Sequence, residues 1–307
     1  MAKTKKIRRN LFLLIKLILF IGVIYLLYLQ LTKVEVANWR EVNVESPISL
    51  IVGILLVVFN IGLSYLKWKV TLSTIPIETD TRTSVHSFFA GIVTGLLTPN
   101  MLGNFIGRFY YFESSKRGVI TSLTMFGNFG QFMASFFFGW LSLVIVGEVI
   151  GLGKNEMITV GVGIAILLSI LLYFYAENVL NKLWKKPFTK ELKLILQKNH
   201  WYRWKILVIA FSRFLVFTTQ YALVLHAFGE ALSVYTVLAI WQVYLITMIF
   251  PSLFLGKLGV KELIAVSVLG AIGFNEFTIV SASLIIWTVN SLLPALVGIF
   301  ICKRPLA

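Results

Sequence analysis

The chain has 307 residues, of which 58% are hydrophobic and only 13% are charged, and its mean hydropathy is +0.87. Soluble proteins carry roughly twice that share of charged residues, so the composition excludes a large soluble domain and predicts a membrane protein. The formal net charge of +15 is typical of nucleic-acid binders. In so apolar a chain, however, the cytoplasmic bias of Lys and Arg and the attraction of anionic lipids explain it more simply. We therefore expect membrane lipids, and no nucleic acid, as partners.

Long apolar runs predict an all-α fold, a polytopic membrane helical bundle with about six to eight transmembrane helices. We assign residues 1–307 to a single integral membrane domain. Two stretches, 85–112 and 251–273, contain apolar segments too short to cross upright and are broken by proline and glycine. Each is predicted to be a re-entrant hairpin or a discontinuous helix, and their similarity suggests an internal repeat. The predicted full crossings are 11–31, 48–66, 118–146, 157–176, 206–228, 234–250 and 277–301.

Clusters of Lys and Arg predict the orientation of these crossings. The first ten residues are basic, residues 177–205 carry eight positive and two negative side chains, and Lys303 and Arg304 lie near the C-terminus. We predict a multi-pass protein of the cell membrane with all three segments in the cytoplasm. Within 177–205, leucines beside lysines predict an interfacial amphipathic helix.

The two broken stretches share a motif. Residues 99–108 read PNMLGNFIGR and residues 251–262 read PSLFLGKLGVKE. In each, a glycine follows the proline by four or five residues, a second glycine follows by eight, and a basic residue stands one or two positions after the second glycine. A short or Pro/Gly-interrupted segment in corresponding places of two halves is typical of a transporter site. The candidate substrate-binding residues are Pro99, Asn100, Gly103, Asn104, Gly107, Arg108, Pro251, Gly256, Lys257, Gly259, Lys261, Glu262 and Arg213.

The chemistry of this motif favours an anion. A broken helix exposes backbone N–H groups and the positive end of its dipole, and glycines let the backbone approach a headgroup closely. Arg108 would clasp a phosphate with two donors, whereas Lys261 would act as a point charge. Glu262 is predicted to be the ion-pair partner of Lys261. The alternative is that the glycines and prolines are structural and that Arg108 reaches back to the interface.

Polar residues within the predicted crossings leave two interpretations open. Arg213 lies about eight residues inside its span, where an ionisable group is costly, so it is either functional or extends back to the basic segment. The amides are either links between helices or the lining of a polar groove. They are Asn60, Asn128, Gln131, Gln220, Gln242 and Asn290.

We expect no enzymatic activity and therefore no catalytic residue, metal or cofactor. His86, His200 and His226 lie far apart, and the chain has a single aspartate and no nucleotide-binding or nucleophile motif. Its only cysteine, Cys302, excludes an intrachain disulfide and a thiolate metal cluster.

Over residues 10–302 the chain resembles the transmembrane region of lysylphosphatidylglycerol synthase, a family of flippase-like membrane proteins. The family motifs, P-x3-G-E-x2-R and P-x4-G-G-L-G-V-R-E, resemble residues 99–108 and 251–262. Asn104 stands where the family has an acid, and Lys257 replaces a glycine, so this site is more cationic than the family pattern. The aminoacyltransferase domain of the full-length synthases is not expected, because only three residues follow Arg304.

The resemblance implies handling of an anionic or isoprenoid-linked lipid. We predict a flippase-type transporter that binds the lipid headgroup at the paired broken helices. The alternative is a non-transporting partner that anchors or presents lipid to a cell-envelope enzyme. Lysyl-lipid, polyprenyl-phosphate sugar, cardiolipin and hopanoid all remain open as ligands, and the sequence does not predict the oligomeric state.

Overall fold

The computed structural model describes residues 43–74, 79–98, 101–147, 156–183, 200–250 and 258–302, with side chains except at 176–183 and 200. These residues form α-helices and no strand, which confirms the all-α prediction. The helices are α1 (Pro47–Leu72), α2 (Thr81–Leu96), α3 (Gly103–Phe109), α4 (Arg117–Val146), α5 (Glu156–Leu183), α6 (His200–Ala227), α7 (Val234–Ile249), α8 (Val260–Gly270), α9 (Glu276–Trp287) and α10 (Leu293–Ile301).

Within the described residues, five helical segments are long and apolar enough to cross a membrane. They are α1, α5, α6, α4 with the 3-10 turn before it, and α9 with α10, which confirms a multi-pass membrane protein. Most of α1 and α5 presents exposed apolar side chains, such as Phe59 and Leu167, and this pattern fits contact with lipid. The predicted crossing 11–31 lies outside the described residues.

Helix α6 lies at the centre of the bundle, with α1 and α4 packed along it. The backbone N–H of Glu45, before α1, donates to the carbonyl of Ala227 at the end of α6, so α1 and α6 run antiparallel. Gly53 of α1 and Gly130 of α4 allow close packing, because a Cβ at either would lie 3.0–3.5 Å from the nearest α6 side chain. Phe138 of α4 stacks on Phe214 of α6 at a centroid distance of 5.0 Å.

The first broken stretch is a helical hairpin. Helix α2 begins after Asp80, whose side chain accepts a hydrogen bond from the N–H of Thr83. Helix α3 then runs back along α2: Gly103 lies against Thr94, and Gly107 lies against Ala90. Further on, the Tyr111 and His86 rings are 5.8 Å apart. A step of four residues along α3, from Gly103 to Gly107, corresponds to a step of four residues backwards in α2, from Thr94 to Ala90. The two arms are therefore antiparallel, and the stretch returns to the face it entered.

The described part of the second broken stretch, residues 258–273, runs back along α7, so the two form a second hairpin. Lys261, at the start of α8, lies over the Tyr244 ring near the end of α7. At the other end, Glu230, which precedes α7, accepts a hydrogen bond from the N–H of Asn275, which follows α8. Residues 234–250 were predicted to cross fully. Helix α7 instead has 16 residues, about 24 Å, which is short of a bilayer core about 30 Å thick.

The two hairpins enter from opposite faces, and their tips meet inside the bundle. Leu97 from the first tip and Leu258 from the second pack in one apolar cluster with Leu292 and Leu296. Between α9 and α10 the chain makes a π-helical turn, Thr288–Leu292. Pro294 explains this turn, because it has no N–H to donate to the carbonyl of Asn290.

The faces differ in charge. One, the basic face, includes the end of α1, the starts of α2, α4 and α6, and the end of α10. It carries Lys69, Arg82, Lys116, Arg117 and Lys205, against Asp80 and Glu113. The other, the acidic face, carries Glu45, Glu156, Glu230 and Glu276, with no Lys or Arg among the residues described there.

The basic stretch 177–205 differs in part from its prediction. Residues 177–183 continue α5, and residues 200–205 begin α6. Both ends of the predicted interfacial segment therefore belong to long helices. Residues 184–199, which contain the leucines of the predicted amphipathic helix, lie outside the described residues.

Candidate functional site

The backbone N–H groups of the first hairpin tip are occupied by the protein itself. The N–H of Gly103 donates to the Thr98 hydroxyl at 2.6 Å, and those of Met101 and Phe105 donate to backbone carbonyls. The Thr94 hydroxyl in turn donates to the carbonyl of Gly103 at 2.5 Å. The free donors predicted after Pro99 are therefore not available at these positions. Pro99 and Asn100 themselves lie outside the described residues.

Gly103 and Gly107 serve the packing of the hairpin. A Cβ at Gly103 would collide with the carbonyl of Thr94, and one at Gly107 would collide with the carbonyl of Ala90. We predicted that these glycines let the backbone approach a headgroup. The structure corrects this, because the backbone they approach belongs to α2.

Arg108 is buried, with 7% of its surface exposed, so it does not reach back to the interface. Its guanidinium lies 4.3 Å from the centroid of the Trp68 ring and 5.9 Å from that of Phe88. The Trp68 indole N–H donates to Ser87, which holds the ring in place. Among the described residues, no oxygen accepts a hydrogen bond from the guanidinium, and its Nε is a buried donor without a partner.

Asn104 is also buried, one helical turn before Arg108. Its Oδ1 has no hydrogen-bond partner among the described residues, and its Cβ lies 3.3 Å from the position that a Cβ on Gly95 would take. The short asparagine therefore fits against α2, beside Arg108 on the same helix.

Arg213 joins a chain of amides that connects four helical elements. Its Nε donates to Oδ1 of Asn60 at 2.8 Å, and an Nη donates to Oε1 of Gln131 at 3.1 Å. Asn60 then donates to Asn290 at 2.6 Å, and Asn290 donates to Gln220 at 2.9 Å. This polar chain, Gln131–Arg213–Asn60–Asn290–Gln220, brings together residues that the sequence analysis placed on separate spans. The residue that donates in both directions along this chain is the cation Arg213, which therefore does not extend back to the membrane interface.

Every hydrogen bond of the polar chain points away from Arg213. As a result, the side-chain N–H₂ groups of Gln131 and Gln220 end the chain, and both nitrogens are buried donors without a partner. Such bonds polarise one another in a low-dielectric interior. The chain therefore presents donors, and not acceptors, to anything bound beside it.

Lys67 is a site residue that sequence reasoning missed. It was not among the candidate residues of the sequence analysis, yet it is only 6% exposed. The Arg108 guanidinium lies over the ring of Trp68, the residue after Lys67, and Arg213 binds Asn60 of the same helix, so we call Lys67, Arg108 and Arg213 the cation cluster. Its signal in the sequence was the spacing of Lys67 from Asn60, because residues seven apart share one face of a helix.

No carboxylate in the described part of the chain forms an ion pair with the cation cluster. The described residues contain one ion pair, which lies on the surface: Lys116 Nζ is 3.4 Å from a carboxylate oxygen of Glu113. A buried charge without a partner costs several kcal/mol, and no described acid offsets this cost for Lys67 or Arg108 by forming an ion pair with it. The described residues contain no group of His, Cys, Asp and Glu that could hold a metal ion.

The second motif lies next to the cation cluster but differs from its prediction. Lys261 Nζ lies 4.8 Å and 5.5 Å from the ring centroids of Tyr221 and Tyr244, and the Tyr244 ring lies 6.0 Å from that of Phe214, the residue after Arg213. Glu262 is not within ion-pair distance of Lys261. It accepts a hydrogen bond from the N–H of Gly259 at 2.6 Å and so caps α8.

Gly259 has a φ of +84°, a conformation that favours glycine, so its position in the motif follows from the entry into α8. Pro251, Gly256 and Lys257 lie outside the described residues. Two of the predicted groove amides are elsewhere: Asn128 is exposed, and Gln242 links α7 to α4 by donating to Ser142 and to the carbonyl of Gly147.

Comparison with known proteins identifies the family. The family model described as the lysylphosphatidylglycerol synthase TM region matches residues 13–298. Neither the curated proteins nor the solved structures contain a match. Because the match spans nearly the whole chain, this multi-pass membrane protein belongs to the lysylphosphatidylglycerol synthase transmembrane-region family, whose members act in membrane-lipid metabolism.

Proposed function

We propose that this protein is a flippase-type transporter that carries an anionic lipid headgroup across the cell membrane. The observation that supports this most strongly is the cation cluster, above all the buried guanidinium of Arg108 without an acceptor. An ionisable group inside a membrane marks a substrate path by default. Here three of them lie on α1, α3 and α6, helices that also carry the polar chain or the first hairpin.

The headgroup would enter from the basic face. That face carries five Lys and Arg, whereas the described part of the acidic face carries none, which favours a cytoplasmic position for the basic face. Lys67 and Arg108, on elements that end or begin at this face, would make the first contacts. Arg213 would then receive the phosphate together with the terminal amides of the polar chain, whose side-chain nitrogens are unpaired donors. The lipid tails would remain in the bilayer beside the protein.

Release would follow through the second hairpin. Lys261 lies over the ring of Tyr244, which contacts the ring of Phe214 beside Arg213, and its own hairpin opens to the acidic face. Handing the anion from Arg213 to Lys261 would therefore move it between the two hairpins. Since the chain has no nucleotide-binding motif, the driving force would be a gradient or the consumption of the lipid on one side.

Headgroup orientation in reconstituted vesicles tests this proposal. The wild-type protein should accelerate transbilayer movement of an anionic lipid over protein-free vesicles, and Arg213→Met should abolish the acceleration. Wild-type vesicles that match protein-free ones would contradict the proposal. If a stoichiometric partner then co-purified with the protein, the alternative of a lipid-presenting subunit would be favoured.

A further inference from the structure

We infer that the bound headgroup is dianionic, a phosphate monoester or diphosphate, and that Lys67 is its third anchor beside Arg108 and Arg213. The inference rests on the proposed function for its assumption that the ligand is a lipid. It goes further by giving the charge of that lipid, and it excludes the aminoacylated, cationic lipid that the family name indicates.

The charges of the cation cluster favour a dianionic ligand. Arg108 lies over Trp68, next to Lys67, and Arg213 is bound to Asn60 on the same helix face as Lys67. No described carboxylate forms an ion pair with any of these three cations. A phosphodiester headgroup such as that of phosphatidylglycerol brings one negative charge, which leaves two cations uncompensated. A phosphate monoester brings about −1.5 to −2 at neutral pH and three acceptor oxygens, which matches three cationic donors far better.

The unpaired polar atoms also favour an anionic ligand. Arg108 Nε, Gln131 Nε2 and Gln220 Nε2 are buried donors without partners. Lysyl-phosphatidylglycerol carries two ammonium groups on one phosphate, so its headgroup is a net cation and offers mostly further donors. Placing it beside three cations would add repulsion in a medium of low dielectric constant. The site therefore selects against that lipid.

Lys67 lies in the site because it is next to the part of α1 that contacts Arg108. It is buried, as is the next residue, Trp68, whose ring lies under the Arg108 guanidinium. Lys69, two residues along the same helix end, is exposed. These two lysines share sequence context, charge and depth along α1, so Lys69 is a matched control for the effect of burial within the site.

A lipid-binding assay tests the inference without requiring transport. Native mass spectrometry of the full chain would compare phosphatidic acid, phosphatidylglycerol, lysyl-phosphatidylglycerol and phosphatidylcholine with identical acyl chains. Phosphatidic acid should bind about tenfold more tightly than phosphatidylglycerol, which corresponds to one charge-assisted hydrogen bond. Lysyl-phosphatidylglycerol should bind no better than phosphatidylcholine. Lys67→Gln should remove the preference for phosphatidic acid, whereas Lys67→Arg and Lys69→Gln should keep it.

Several results would overturn the inference. They are equal binding of phosphatidic acid and phosphatidylglycerol, tightest binding of the lysyl lipid, or an unchanged preference in Lys67→Gln. If that variant does not fold, the lipid series on the wild type still decides. Displacement of phosphatidic acid by an equal concentration of inorganic diphosphate would show that the ligand is a free anion. The predicted binding order without any headgroup movement would uphold the inference and refute the transporter.

Discussion

Replacing Arg108 by methionine separates a ligand-binding role from a structural one. In the structure the guanidinium is stabilised by the Trp68 and Phe88 rings and by no hydrogen-bond acceptor among the described residues. A desolvated cation–π contact contributes about 2 kcal/mol. An arginine at the centre of a membrane helix costs about 2.5–3.5 kcal/mol on insertion scales. The favourable cation–π contact and the unfavourable insertion of arginine nearly cancel, and methionine fills a similar volume.

Arg108→Met should therefore leave the free energy of unfolding unchanged or raise it by about 1 kcal/mol, while transport falls at least tenfold. Reversible unfolding in mixed micelles, followed by circular dichroism, measures the first quantity. Vesicle flux measures the second. Arg117→Met is the matched control, because Arg117 lies over the rings of Tyr110 and Phe109, outside the cation cluster. It should lose up to about 1 kcal/mol of stability and keep its transport.

A loss of about 3 kcal/mol in Arg108→Met would refute this reasoning. Such a loss is what breaking a buried ion pair causes, and it would mean that Arg108 has an anionic protein partner. Full transport by a stable Arg108→Met protein would refute the assignment of Arg108 to the binding site.

The remaining predictions concern packing, the polar chain and a pH effect. Gly107→Ala should lower the free energy of unfolding by about 1–3 kcal/mol through overpacking, whereas Gly62→Ala, with open space around it, should not lower it; equal melting temperatures would contradict the hairpin packing. A double-mutant cycle of Asn60→Ala and Asn290→Ala should give a coupling of about 0.6–1.7 kcal/mol, and additive losses would show that their hydrogen bond contributes nothing. Burial, opposed by the N–H of Asn275 and assisted by Glu45, raises the pKa of Glu230. Its effect on stability is thus favourable below its ordinary pKa and is lost as the pH rises through the raised value, so Glu230→Gln should be more stable than the wild type at neutral pH and converge with it near pH 4. Parallel curves of stability against pH would contradict this.

The sequence predicted the membrane fold and the two breaks well because hydropathy and proline act locally. Residues 85–112 contain an apolar segment too short to cross, and a proline that ends it, so a break there followed from length alone. Whether the break returned or crossed depended on tertiary contacts. Gly103 and Gly107 fit against the carbonyls of Thr94 and Ala90, and nothing in the motif indicates which backbone they approach.

The site was harder to predict because its members come from separate helices. Arg213 was left between a functional role and a return to the interface, and its bonds to Asn60 and Gln131 exist only once α1, α4 and α6 pack together. Glu262 was assigned to Lys261 because the two are adjacent in sequence. Residues i and i+1 on a helix do not face each other. The Glu262 carboxylate instead accepts a hydrogen bond from the N–H of Gly259.

The central claim is that buried, unneutralised cations carry an anionic headgroup across the bilayer. Its most direct test is the rate of headgroup movement in vesicles that contain the wild type, Arg108→Met/Arg213→Met, or Lys116→Met/Arg117→Met, which removes the same charge from the basic face. The account predicts wild-type rates for the surface double variant and the protein-free rate for the buried one. Equal rates in the two double variants would contradict it.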